Sequence, residues 1–270
     1  MSFQEGLKRL LASNFCEELK ECLRSLDPSD WPSCDVLNNL LCERTETIVN
    51  TNGIDIQFVP QYERPKSFET GFEQRAFLSG EVQVRPENWH DLLNALIWLL
   101  FPKSKAVLNA RHYNVLETDQ SLGRSPEGDA LTLFDEEGVI VLSRNVELTR
   151  LLTDFRWVEL FHKRRHEVLS DMSFYVFGHA LLEKTINPYV GMTGKALIIN
   201  QPYDAFDSSS SGSKIDVDNV LLGLVSDQRL FKSGREFSPL PMLGLPGCWD
   251  DNEKLDFYLN ESYFRPKKLG

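Results

Sequence analysis

Along the first fifty residues the apolar positions fall at helical intervals. Phe3, Leu7, Leu10, Leu11, Phe15, Leu19, Leu23 and Leu26 recur mostly three and four apart, which predicts one amphipathic helix ending at Asp27-Pro28. A second helix is expected from about 30–33, with Val36, Leu37, Leu40 and Leu41 buried and Asn52-Gly53 as its stop. The two form an N-terminal helical hairpin, 1–53, packed on a main domain, 54–270. Period-two alternation over 54–59 predicts a strand closed by Pro60, and a short helix over 69–78 follows. Asn88 is a good N-cap for an apolar helix over 89–101, which Pro102 breaks before helical spacing resumes over 103–117. Residues 118–128 read as a loop. Leu131-Thr132-Leu133-Phe134 and Val139-Ile140-Val141-Leu142 flank Asp135-Glu136-Glu137-Gly138, which predicts a β-hairpin near 131–142. A long helix over 145–160, a helix over 173–185, a strand over 195–199, a Ser-rich surface loop over 207–213, a helix over 216–225 and a turn-rich tail complete the chain. The fold class is therefore α+β: a mainly helical single domain with a small sheet that includes the hairpin.

Composition narrows the partners. The 270 residues hold 29 Lys and Arg against 40 Asp and Glu, a formal charge of −11, so the surface repels nucleic acid and anionic membranes alike. The longest apolar run, 92–101, is interrupted by Asn94 and is too short to span a bilayer, and the first fifteen residues lack the apolar stretch of a signal peptide. Five cysteines, with no Cys-x-x-Cys pair, fit reduced thiols in the cytoplasm rather than disulfides or a zinc site.

Five histidines are the main chemical resource. Counted from Pro102 at the helical rise, His90 lies about 18 Å up one helix and His112 about 15 Å up the next, so antiparallel packing brings them level. His179 and Glu183 are four apart on a helix and share a face. His90, His112, His179 and Glu183 are thus candidate ligands for a divalent zinc, iron or manganese ion, which activates water at neutral pH. With Asp91 and Asp129 they also make up the candidate catalytic set. Asp129 is preferred over Asp135, which the hairpin reading leaves as a solvated turn acid. His162 and His166 are separated by Lys163, Arg164 and Arg165 and read as a basic helix end. Arg85, Lys105, Arg111 and Arg124 offer a second scheme, a cationic pocket for a phosphate or carboxylate. Three prolines and two glycines over 238–247 predict a rigid shaped loop that covers the core. No phosphate-binding loop and no Gly-x-Ser-x-Gly elbow is present.

Several separated motifs carry a resemblance: Asn88-Trp89-His90-Asp91 with Asn94-Ala95; Phe101-Pro102-Lys103 with Lys105, Leu108-Asn109 and Arg111-His112; the run from Asp129 to Glu136; Phe177-Gly178-His179-Ala180 with Glu183; and Pro239-Leu240-Pro241 with Gly244 and Pro246-Gly247. Over roughly 60–266 the chain resembles a mainly proteobacterial family of uncharacterised proteins, a domain of unknown function. Cys248, inserted before Trp249, departs from that pattern. The resemblance implies a soluble bacterial protein and brings no activity, cofactor or partner with it. From the residues themselves the leading expectation is metal-assisted hydrolysis of a small ester, amide or phosphoester. A non-catalytic protein-binding or scaffold protein is the second, and an anion-binding module the third.

Overall fold

Hydrophobic burial is centred on one helix. In the computed structural model, which describes residues 1–61, 66–122, 125–200 and 216–267, with the backbone alone over 119–122, α5 (Trp89–Leu100) is buried at every position from Asp91 to Leu99. Its sequence is apolar almost all round, and such a helix needs neighbours on several sides. It has them in α3 (Cys34–Cys42), α6 (Pro102–Leu122) and α10 (His179–Thr185). Asn88 accepts a hydrogen bond from the Asp91 amide, so the expected cap forms. Pro102 opens α6 as its first residue and folds it back along α5.

The sheet is mixed and four-stranded. Its order is β4 (Met172–Val176), β3 (Gly138–Ser143), β5 (Thr193–Asn200), β6 (Ser238–Pro241), with β3 and β5 parallel and both outer pairs antiparallel. All six residues of β3 are buried, as a central strand covered on both faces requires. Pro239 and Pro241 are tolerated because β6 is an edge strand; the shaped loop expected over 238–247 thus begins as this strand and continues as a buried 3-10 turn, Met242–Gly244. A separate parallel pair, β1 (Gln57–Pro60) and β2 (Glu81–Val84), is connected through α4 (Phe72–Ser79). Gly80 ends α4 at φ +73°, a conformation that costs glycine little.

Five expectations are corrected. Residues 131–134 are not half of a hairpin but the middle of α7 (Pro126–Glu137), with Ser125 accepting from the Gly128 amide and Pro126 in the first turn. The buried positions Ala130, Leu131, Phe134 and Asp135 follow helical spacing, and this outweighs the short Leu131/Leu133 alternation. α7 and α6 also consume most of the loop expected over 118–128. The long helix over 145–160 stops after α8 (Val146–Thr153) because Phe155 adopts φ +56°; a π-helical turn, Val158–Lys163, and α9 (Arg165–Asp171) follow. Residues 173–185 divide into β4 and α10 at Gly178. The N-terminal helix is likewise broken, into α1 (Phe3–Ala12), a 3-10 turn and α2 (Lys20–Arg24), where Ser13 turns extended. The Ser-rich segment 207–213 lies outside the described residues.

The N-terminal segment docks through aromatic stacking. Phe3, Trp31 and Trp89 form a triangle with ring centroids 4.9 to 5.1 Å apart. Gly6 lies so close to the Trp89 indole that a Cβ there would sit 2.4 Å from it. α1 therefore rests on the N-terminal end of α5, next to His90. No described helix is long and apolar enough to cross a membrane.

Candidate functional site

Five helices, α4 to α7 and α10, converge on one cavity of about 360 Å³, lined by Gln61, Phe72, Glu73, Arg85, His90, Asp91, Asn94, His112, Leu116, Thr132, Asp135, Glu136 and His179. α5 supplies His90 and Asn94, α6 supplies His112, α7 supplies Asp135, and α10 begins with His179. Close backbone approach sets the last of these. A Cβ on Gly178 would lie 2.5 Å from the Glu136 carbonyl oxygen, so glycine there lets the start of α10 rest directly on the end of α7.

The two imidazoles face each other. His90 Nε2 and His179 Nε2 are 3.0 Å apart, with the rings inclined at 79°. On its other side His90 presents Nδ1 to Glu183 Oε2 at 3.3 Å. His179 presents Nδ1 to Asp135 Oδ2 at 3.7 Å, too long for a hydrogen bond but close enough for attraction. Asp135 in turn accepts from the Lys105 ammonium at 2.6 Å, and Lys105 also donates to Asn94 Oδ1 at 2.9 Å. A line of groups therefore runs Glu183, His90, His179, Asp135, Lys105. It alternates in charge once the proton is placed.

The surroundings place it. The bond to the Glu183 carboxylate raises the pKa of His90 against the opposing effect of partial burial. Burial pushes His179 down to about 4, with Lys105 and His90 acting in the same direction and Asp135 against them. Burial also works against the Asp135 charge, but the Lys105 ammonium beside it outweighs burial and holds the carboxyl below the usual carboxylate range. These surroundings favour the protonated form of His90, whose Nδ1 faces Glu183 and whose Nε2 faces His179. His179 is neutral, with its own proton on Nδ1 toward Asp135. The two histidines at this cavity thus have their proton affinities displaced in opposite directions, His90 upward and His179 downward.

The expected site residues divide. His90, His112, His179 and Asp91 line the cavity, and Glu183 sits just behind His90. Glu183 addresses the Nδ1 face of His90, opposite the Nε2 that meets His179, and Asp91 is clasped by Arg85 through its backbone N, Nε and Nη2 at 2.7 to 2.8 Å. Among the described residues no three His, Cys, Asp or Glu side chains are arranged to hold a metal ion. Asp129 is exposed in the first turn of α7, about 9 Å along the helix from Asp135, and does not line this cavity.

Three of the four residues expected to form a cationic pocket are described. Arg85 is committed to Asp91, and Lys105 to Asp135 and Asn94. Arg111 is buried at a different cleft, where it donates to Glu127 and to the carbonyls of Val225, Asp227 and Leu230. Arg124 lies outside the described residues. His162 sits in the π-helical turn and His166 in α9, where Arg164 pairs with Glu167 and Arg165 donates to the Asn252 carbonyl. All five cysteines are free, and burial raises the thiols of Cys16 and Cys248 to about 11 and about 12, which makes them poor nucleophiles.

Asp135 lines the cavity although sequence reasoning set it aside in favour of Asp129. Its signal was present: it falls on the buried face of α7 beside Leu131 and Phe134, and an acid on a buried face needs a partner. Only the hairpin reading hid it.

No curated protein and no solved structure matches the chain. Residues 56–268 match the family described as protein of unknown function, DUF3025, a span that takes in the cavity and leaves α1 to α3 outside. The motifs around His90, Lys105, Asp135 and His179, distant in sequence and joined at one cavity, thus lie within a single family domain, and the chain belongs to the DUF3025 family of proteins of unknown function.

Proposed function

We propose that this cavity is the active site of a hydrolase acting on a small ester, amide or phosphoester, with His90 and His179 as its acid and base. The observation that carries the reading is the pair of imidazoles facing each other at 3.0 Å with their affinities for a proton displaced in opposite directions. Such a pair holds one transferable proton between two ring nitrogens. His179 Nε2 takes a proton from the water as it attacks, His90 then gives one to the leaving group as its bond breaks, and the pair ends as it began with one proton between the rings. Glu183 and Asp135 fix the two rings from behind, and Lys105 and Asn94 fix Asp135. A bacterial, cytoplasmic setting belongs to the same proposal.

The test is hydrolysis of a p-nitrophenyl ester, an anilide and p-nitrophenyl phosphate by the wild type and by His90→Gln and His179→Gln, each checked for an unchanged circular dichroism spectrum. Positioned acid–base catalysis is worth about 10²–10⁴-fold, so a loss of that size in both variants is expected. Equal turnover in the variants, or stability losses with no hydrolysis in any arm, would instead favour a scaffold whose histidines serve packing alone.

A further inference from the structure

The polar lining of the cavity is not electrically balanced. Arg85 offsets Asp91, Lys105 offsets Asp135, and His90 faces Glu183. Two further carboxylates line the same space. Glu73 accepts a hydrogen bond from the neutral amide of Asn109 at 2.6 Å, and Glu136 is exposed at the end of α7; neither pairs with a Lys or Arg among the described residues. An independent feature points to a missing ligand. His112 lines the cavity, is 7% exposed, and its buried Nε2 has no hydrogen-bond partner. A buried polar atom left unpaired in a wall that also holds uncompensated charge is a polar contact awaiting a guest.

Resting on the reading of this cavity as the substrate site, we infer that the substrate carries a cationic amine, which docks against Glu73 and Glu136 while its carbon frame lies on Phe72 and Leu116. Low-dielectric walls strengthen the field of these carboxylates. The same field disfavours a phosphate or carboxylate, because among the described residues the cations of the lining are already engaged. Of the three scissile groups proposed above, an ester or amide of an amine-bearing compound fits and a phosphoester does not. His112, close to the reacting pair, offers its ring nitrogen to a polar group of the bound molecule.

The experiment is calorimetric titration of the full-length protein with phenethylamine, phenyl phosphate and benzyl alcohol, at low and at high salt, repeated on Glu136→Gln, Glu73→Gln and His179→Gln. Phenethylamine is expected to bind, more weakly at high salt, and to lose about tenfold in affinity in Glu136→Gln. Glu136 is exposed, so that variant keeps its fold even where Glu73→Gln, which loses the Asn109 contact, does not. Binding of phenyl phosphate in preference to the amine, no amine binding, or amine affinity unchanged in Glu136→Gln overturns the inference. Binding is read without turnover, so the two proposals fail separately. Amine binding that survives in His179→Gln, with no hydrolysis by the wild type, supports the substrate class and removes the catalytic role. Hydrolysis indifferent to a cationic group does the reverse.

Discussion

Acidification is expected to weaken this fold through His179. The ordinary histidine value is 6.5, and burial pushes His179 down to about 4. Its charged neighbours on the packed helices are Asp135 on α7, Lys105 on α6 and His90 on α5, and Asp135 alone favours the protonated form. Between those two pH values the unfolded chain binds a proton that the folded chain refuses. Stability therefore falls as the pH drops through 6.5, and the loss is complete near 4. At about 1.4 kcal/mol per unit the gap corresponds to about 3 kcal/mol, a large share of a typical domain's stability. Its neighbours do not mask the effect. His90 has a raised folded value, so its contribution is fully present below its ordinary value and is lost only as the pH climbs. Asp135 has a lowered one, so its contribution is lost only as the pH falls through values more acidic than this window. Urea unfolding of wild type and His179→Gln from pH 7 to pH 4.5 separates this from the general titration of surface carboxylates. Gln does not titrate, so the stability difference between the two proteins should shrink by about 2–3 kcal/mol toward the acid end. Parallel curves across that range would refute the reasoning.

Other perturbations act on the supports of the pair. Lys105→Met strands the buried Asp135 carboxylate and should cost about 3–5 kcal/mol in denaturant melts at neutral pH, with Asp135→Asn in the same chain recovering much of it; a loss under about 1 kcal/mol would contradict the buried pair. Gly178→Ala places a methyl 2.5 Å from the Glu136 carbonyl, which is backbone and cannot turn aside, so a drop of about 1–3 kcal/mol is expected together with displaced His179 ring resonances. Because Glu183 and Asp91 turn away from any point shared by the histidines, protein purified without chelator should carry no stoichiometric zinc, iron or manganese. One equivalent of metal, lost in His179→Ala, would show that the donors rearrange around an ion.

Much of the helical framework could be read from local chemistry. Asn88 capped α5 as expected, Pro102 separated α5 from α6, and Asp216 opened α11 (Val217–Val225), because caps and prolines act within one turn. The hairpin reading failed where a four-residue alternation competed with a twelve-residue helix, and the capping Ser125 and Pro126 lay ahead of the window that showed the alternation. The break at Phe155 has no local signal: a positive φ at a bulky residue is imposed by tertiary packing. At the site, helix geometry grouped His90, His112 and His179, and all three line one cavity. The meeting of His90 with His179 was not legible, since it depends on how closely α10 approaches α7 at Gly178, a contact between segments forty residues apart. Treating Arg85 and Lys105 as free cations failed for a related reason. Their partners, Asp91 and Asp135, are assigned only by the packing of β2 on α5 and of α6 on α7.

The most direct test of the shared proton is ¹⁵N NMR of the histidine rings in the intact protein at neutral pH. The account predicts that His90 shows both ring nitrogens protonated and that His179 is neutral, with its proton on Nδ1 and an unprotonated Nε2 accepting from His90. Two neutral rings that titrate together near the ordinary histidine value, or a protonated His179 beside a neutral His90, would contradict it.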